Sequence, residues 1–277
     1  MESIRQAVER ARAAIDSPRA QVAENVTPRR RVDPGATTSV ERGPQTDHTE
    51  LNLALPQLQA KRIIAYNGAD VRSRPYDMLR TQVMQSMGVG GWKILGITSP
   101  TPGCGKTLTA LNLAFSIARQ PEQSAVLVDL DLQRPQVANS LGLMPAGDGV
   151  LGVLGERTTL AKIAQPVRAG NQRIIAVPTA ATRESSELMG SRTMRTLLQD
   201  LRRNYQSHTI IVDLPPILSS DDVIAILPQI DCVLLVAAVG HSKASEVEEC
   251  NRHLQSSHLV RVVVNKAIEE NTHYYYY

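Results

Sequence analysis

Gly96-Ile97-Thr98-Ser99-Pro100-Thr101-Pro102-Gly103-Cys104-Gly105-Lys106-Thr107 is the stretch that decides the fold. A short apolar run passes into a loop of Pro and Gly and then into a helical stretch, residues 108–118. A strict phosphate-loop pattern, G-x-x-x-x-G-K-[ST], wants Gly at position 100, where this chain has Pro100. The chemistry survives that departure. Gly103 and Gly105 let backbone N–H groups curl around an anion, and the N-terminus of the following helix adds a favourable dipole. Lys106 can reach the outer phosphates of a nucleotide, and the Thr107 hydroxyl can ligate Mg2+. An ordinary strand-to-helix turn with a Lys at its exit is the bland alternative, and what surrounds the loop speaks against it.

Two acidic strand ends follow the loop in the sequence. Val126-Leu127-Val128-Asp129-Leu130-Asp131 carries two carboxylates at spacing two. In a strand, i and i+2 share a face, so both are expected to aim at one metal or proton. Ile210-Ile211-Val212-Asp213-Leu214-Pro215-Pro216 is a second such end and fits the metal-placing aspartate of a nucleotide site. The ligand crevice of an open parallel sheet lies outside the carboxyl ends of its strands, where all three motifs fall. Arg134 follows the first acidic pair and can neutralise phosphate charge or merely cover a helix start.

Working outward, the apolar runs at 94–97, 125–128, 174–177, 210–212, 233–239 and 260–264 are short and rich in Val and Ile. Such runs suit strands buried on both faces. Helical stretches at 107–118, 192–204 and 242–255 separate them. The alternation predicts an α/β fold with three layers, a mostly parallel sheet flanked by helices. Residues 1–16 read as an amphipathic helix, 17–60 as a flexible linker, 61–268 as the phosphate-loop domain and 269–277 as a tail. Four of the seven tyrosines end the chain, Tyr274, Tyr275, Tyr276 and Tyr277. A run of aromatics at a terminus has no packing rationale and reads as a set of phosphoryl acceptors.

Composition narrows the class. With 277 residues, 42% of them hydrophobic, the chain can bury a real core. The net charge of +3, with no face saturated by Lys and Arg, does not call for nucleic acid. No apolar run approaches the roughly 18 residues of a membrane span. The N-terminus lacks the apolar stretch of a signal peptide. Three cysteines (Cys104, Cys232, Cys250) form neither a paired framework nor a metal spacing, and a cytoplasmic setting is expected.

From about residue 61 onward the chain resembles the cytoplasmic domain of bacterial tyrosine kinases of capsule and exopolysaccharide biosynthesis. Residues 98–107 look like their Walker A loop, residues 126–134 like their second acidic motif (Asp-x-Asp-x-x-Arg here), and residues 210–216 like their Walker B run. The terminal tyrosine cluster completes the likeness. The resemblance implies ATP and Mg2+ as cofactors and phosphorylation between neighbouring subunits of a homo-oligomeric ring. It also implies a separately encoded transmembrane adaptor of the polysaccharide co-polymerase kind, which would hold the kinase at the inner face of the plasma membrane. Carried over, Lys106, Asp129, Asp131 and Asp213 are the catalytic set, with Asp129 or Asp131 activating the tyrosine hydroxyl. Pro102, Gly103, Cys104, Gly105, Lys106, Thr107, Leu108 and Asn265 are expected to bind nucleotide, Asn265 near the base. Thr107, Asp131 and Asp213 are expected to hold the metal.

Two departures carry weight. Family members usually bear a Glu-x-x-Arg-x-x-Arg helix used in subunit packing, and here the equivalent positions are Arg74, Asp77 and Arg80. Either pairing persists with polarity swapped, or ring assembly is lost. A rival reading is a partitioning or division-site ATPase switch, which carries an extra lysine early in the phosphate loop. Thr101 and Pro102 stand there instead. A nucleotide-sensing regulator with no transfer activity is the third reading.

Overall fold

The structure, a computed structural model, describes residues 49–267. The expected helix at 1–16, most of the expected linker, and the tail with Tyr274, Tyr275, Tyr276 and Tyr277 lie outside the described residues. Among the described residues eight strands form one sheet: β1 Leu51–Asn52, β2 Ile94–Thr98, β3 Ser124–Asp129, β4 Gln165–Ala169, β5 Gln172–Val177, β6 His208–Asp213, β7 Cys232–Ala238 and β8 His258–Asn265. Their spatial order is β1-β4-β5-β3-β6-β2-β7-β8. Every pairing is parallel except the β4–β5 hairpin.

The helices are α1 Leu55–Ala60, α2 Arg74–Gly90, α3 Lys106–Ala118, α4 Val137–Leu141, α5 Val150–Leu154, α6 Leu160–Ile163, α7 Ser185–Met189, α8 Arg192–Asn204, α9 Asp222–Ile226 and α10 Ala244–His253. The central strands need apolar side chains at every position because both faces are covered. Val126, Val128, Ile210, Val212 and Leu235 pack into one buried cluster, with Met194, Leu197 and Leu201 of α8. Their sequence neighbours Ala125, Leu127, Ile211, Leu234 and Val236 turn the other way, toward Leu111, Leu113 and Phe115 of α3. Alternation with period two thus splits continuous apolar runs between two cores.

Folded structure begins ahead of the boundary expected at residue 61. Leu51 and Asn52 pair with Val167 and Arg168 of β4, and Glu50 bridges Arg168 and Arg173 at 2.8 and 3.1 Å. A two-residue strand followed by a six-residue helix with one buried side chain, Leu58, leaves too little pattern to stand out from a polar linker. Strand β4 was equally hidden, since Gln-Pro-Val-Arg-Ala has no apolar run. Only its hairpin with β5 makes it a strand.

Helix α2 contains the Arg74, Asp77 and Arg80 positions. Asp77 is tied inward rather than outward. Its Oδ1 accepts from Arg80 Nη1 at 3.2 Å, Ser116 Oγ at 2.7 Å and Arg119 Nη1 at 2.9 Å, the last two belonging to α3 and its C-terminal cap. The segment before α2 is clamped to α3 by Asn112, which is wholly buried. Its Oδ1 accepts from Ile64 N at 2.9 Å and Ala65 N at 3.0 Å, and its Nδ2 donates to Arg62 O at 3.1 Å and Leu108 O at 2.9 Å. Two backbone donors on one side fix which end of the amide is oxygen.

Replacing Asn112 by Ala strands two buried N–H groups, each worth about 1–3 kcal/mol when left unmade. Asn112→Ala is expected to lower the unfolding free energy in urea by about 2–4 kcal/mol. A loss below about 1 kcal/mol would show that water replaces the clamp.

Candidate functional site

Strand β2 delivers the chain to the phosphate loop along the centre of the sheet. The loop is held to the neighbouring strand end: Thr98 Oγ1 donates to Pro215 O at 2.6 Å, and Ile217 N donates to Ser99 O at 2.9 Å. Gly103 and Gly105 adopt φ of +84° and +93°, the left-handed region where a side chain is strained. Gly105 is also the N-cap of α3, so the loop's amides and the first turn of a 13-residue helix share one mouth. Pro100 stands at the start of this turn without disturbing it.

Lys106 is the first residue of α3, and its ammonium is buried among carboxylates. Nζ lies 2.8 Å from Asp131 Oδ2 and 3.3 Å from Asp213 Oδ1. Burial works against the charged ammonium, but Asp213 and then Asp131 outweigh it and hold Lys106 above the usual lysine range. Thr107 Oγ1 donates to Asp213 Oδ2 at 2.6 Å. Asp213 is wholly buried at the end of β6, and loss of solvent raises its carboxyl above the ordinary value against the pull of Lys106 and Thr107.

The two aspartates expected to share a face do not. Strand β3 stops at Asp129, so Asp131 lies past the pleat and the i, i+2 rule no longer applies. Asp129 points back into the protein. Its Oδ1 accepts from Asp131 N at 3.2 Å, and its Oδ2 accepts from Gln136 N at 3.0 Å and Val137 N at 2.9 Å, capping the loop that leads into α4. Burial, and next the Asp213 charge, push the Asp129 carboxyl up to about 8.

A cleft of about 580 Å³ opens over the loop. Of the residues expected from sequence, Pro102, Gly103, Gly105, Lys106, Thr107, Leu108 and Asp131 line it. Cys104, Asp129 and Asp213 are wholly buried behind that wall, and Asn265 turns toward the loop's backbone instead. The lining also includes residues that the sequence did not single out, Lys61, Gln133, Ser219 and Ser220. Lys61 donates its ammonium to Asn139 O. No spacing rule reaches it, because it comes from the segment that Asn112 clamps.

The donor set fits the group that the pattern implies. Two positive-φ glycines, an ammonium and a helix N-terminus suit a polyphosphate. For a metal, Thr107 and Asp213 present adjacent hard oxygens, and Asp131 stands across Lys106 from them. Among the described residues no cluster of three or more His, Cys, Asp or Glu could cage an ion. Magnesium, which keeps waters and shares its shell with phosphate oxygens, needs no such cage.

Comparison with known proteins agrees with this geometry. Residues 95–276 match the CbiA family model, the CobQ/CobB/MinD/ParA nucleotide binding domain. EpsB of Ralstonia solanacearum is 28% identical over 200 residues, 72% of this chain and 26% of that protein. The chain therefore spans about a quarter of that relative's length. The tyrosine-protein kinase YwqD of Bacillus subtilis is 27% identical over 212 residues, 75% of this chain and 86% of that protein. The kinase domain of the Escherichia coli tyrosine kinase ETK superposes with a TM-score of 0.67 at 26% identity, covering 84% of this chain and 88% of that one.

The raised Asp129 carboxyl has a consequence for stability. A carboxyl near 8 in the folded chain and near about 3.9 in the unfolded chain lends stability that is complete below about pH 4 and drains away as pH rises through about 8. The ligand-free protein should lose thermal stability across that window, and Asp129→Asn should lose less. Circular-dichroism melts between about pH 5 and 9 measure both slopes, and equal slopes would assign the titration to another group.

Proposed function

We infer, from the premise that the chain belongs to the CobQ/CobB/MinD/ParA nucleotide binding domain family, that it is an ATP-dependent tyrosine kinase acting on its own terminal tyrosines. The observation that carries this reading is a cleft-facing carboxylate, Asp131, 2.8 Å from the phosphate-loop ammonium, in a chain that ends in four tyrosines. The family alone does not separate a kinase from a partitioning switch. The absence of a second loop lysine at Thr101 and Pro102, and relatives named as tyrosine kinases, favour the kinase.

The chemistry follows from the side chains. ATP lays its β- and γ-phosphates along the loop amides, and Lys106 leaves its carboxylate partners for phosphate oxygens. That exchange frees Asp131 within the cleft. A tyrosine hydroxyl attacks the γ-phosphorus and the bond to the β–γ bridging oxygen breaks. ADP departs, and the phenolic proton passes to Asp131. Magnesium, held by Thr107 and Asp213, would supply charge neutralisation at the transferring group. Asp129 acts at one remove, by fixing the turn that carries Asp131. The protein's task is mostly positioning, as phosphoryl transfer requires.

The acceptors are Tyr274, Tyr275, Tyr276 and Tyr277 of a neighbouring copy in a homo-oligomer. A membrane-spanning adaptor of polysaccharide export recruits the kinase to the inner face of the membrane. Each added phosphate brings about −1.5 to −2 charges, so a modified tail repels its neighbours and loosens the assembly. Among the described residues no helix is long and apolar enough to cross a membrane. Recruitment would thus rest on protein contacts or on segments outside them.

Incubation with Mg-ATP followed by phosphotyrosine mass spectrometry tests the activity. Changing the four terminal tyrosines to Phe should remove most of the label and spare ATP binding, whereas Lys106→Ala should abolish labelling. Retained label in Lys106→Ala would point to a contaminating kinase.

Direction of transfer is tested by mixing. Lys106→Ala chains with intact tails, incubated with active chains bearing the four Phe, should become labelled. If they stay unlabelled while the unaltered chain labels itself, transfer runs within one chain.

A further inference from the structure

A loop that turns its amides toward a phosphate turns its carbonyls the other way, and those carbonyls need partners of their own. Two of them find side chains from the far end of the chain. Pro102, which has no N–H, receives His241 Nε2 on its carbonyl at 2.6 Å. A carbonyl only accepts, so that ring nitrogen carries a proton. The carbonyl of Cys104 accepts from Asn265 Nδ2 at 2.9 Å.

These two side chains stand on a rigid base. Asn265 ends β8, His241 follows β7, and the strand ends are joined: Ala238 is the register partner of Asn265, and Val239 N donates to Asn265 O at 3.0 Å. The turn bearing His241 is closed by the N–H groups of His241 and Ser242, which donate to Ala238 O at 3.2 and 2.9 Å. Ala238 N in turn donates to Ser242 Oγ at 3.0 Å, and that oxygen lies 3.3 Å from Cys104 Sγ. The approach is close at both loop glycines, whose positive φ already disfavours a side chain. A Cβ on Gly105 would lie 2.2 Å from Asn265 Nδ2, and one on Gly103 would lie 3.3 Å from His241 Nε2.

We propose that His241 and Asn265 are positioning residues that hold the phosphate loop by its outward carbonyls, and that Asn265 serves the nucleotide through the loop rather than by touching its base. The inference rests on the nucleotide-binding reading of the site and is indifferent to where the phosphate goes next. The orientation of the Asn265 amide is set by the loop and the strand exit, with Nδ2 donating to Cys104 O and Oδ1 accepting from Lys266 N at 2.8 Å. The braces keep carbonyl oxygens off the phosphates and keep the amides aimed inward before a ligand arrives, which is preorganisation.

The test separates a brace from a base contact by removing the base. In the full chain, His241→Leu, His241→Gln and Asn265→Ala are titrated by calorimetry with ATP and with inorganic tripolyphosphate at fixed magnesium. His241→Leu and Asn265→Ala should weaken both ligands by the same factor, about 3- to 10-fold each, as expected for one lost hydrogen bond. His241→Gln keeps an N–H donor and should recover most of the loss. Alkylation by iodoacetamide gives a second reading, because Cys104, Cys232 and Cys250 are all buried. A loosened loop should expose Cys104 alone. Weaker ATP with unchanged tripolyphosphate would make Asn265 a base contact and overturn the proposal. Unchanged affinity for both ligands would overturn it as well, as would Cys232 reacting in step with Cys104. If the unaltered chain binds neither ligand, the nucleotide reading itself falls and the proposal with it.

Discussion

A buried ammonium shared between two carboxylates governs this protein. Lys106, Asp131 and Asp213 sit where water is almost excluded, and Asp129 lies within their electrostatic reach. Charges in such a place must be paired or else neutralised by proton uptake. Burial raises the Asp129 and Asp213 carboxyls, and the single Lys106 ammonium does not offset that cost for three carboxylates. The ligand-free site is therefore short of positive charge at its floor and rich in anion-seeking amides at its loop. A magnesium–triphosphate pair answers both needs together, whereas either component alone answers one. The surrounding architecture serves to keep this imbalance in place.

That task explains why the site occupies the centre of the sheet. The phosphate loop follows β2, Asp213 ends β6, and Asp129 ends β3, three adjacent parallel strands whose carboxyl ends lie side by side. Their register pairs Asp129 directly with Asp213. Burial of both faces of each strand in separate apolar clusters makes the platform stiff, so that a sub-ångström arrangement of charge can be maintained. The flanking network around Asp77 adds to this by locking α2 to the helix that begins with Lys106. Asp77 and Arg80, which the family pattern would assign to contacts between subunits, are spent within the chain.

Sequence revealed what short-range physics controls. The six apolar runs became β2, β3, β5, β6, β7 and β8; in the central strands burial of both faces requires apolar residues, whereas β8, a partly exposed edge strand, was legible from its β-branched run alone. Helix α8 matched its expected limits because its apolar stripe is unambiguous. Lys106 and Thr107 were legible for the same reason, since the loop's chemistry is written in consecutive residues. Hidden from the sequence were features that depend on a partner in space. Strand β4 has no apolar run and exists through its hairpin; β1 is two residues long; Lys61 reaches the cleft only because Asn112 holds its segment there. The pair Asp129 and Asp131 shows the limit most clearly. Spacing two implies one face only while the strand lasts, and β3 ends at the first of them.

The same reasoning applies to Asn265, where position suggested a role and bonding assigns another. A residue at the carboxyl end of the last strand sits near any nucleotide held by the central loop, so proximity alone cannot tell a base contact from a scaffold contact. The bonds it makes give the direction. The amide nitrogen of Asn265 donates to the loop while its oxygen accepts the N–H of the first residue beyond β8. That division joins the phosphate loop to the point where the chain leaves the sheet. Whatever fixes the loop also fixes this exit, and by thermodynamic reciprocity whatever fixes the exit also favours the loop. The four terminal tyrosines begin nine residues beyond Asn265, so under the proposed function the residue that braces the phosphate loop also marks where the chain turns toward its own substrate.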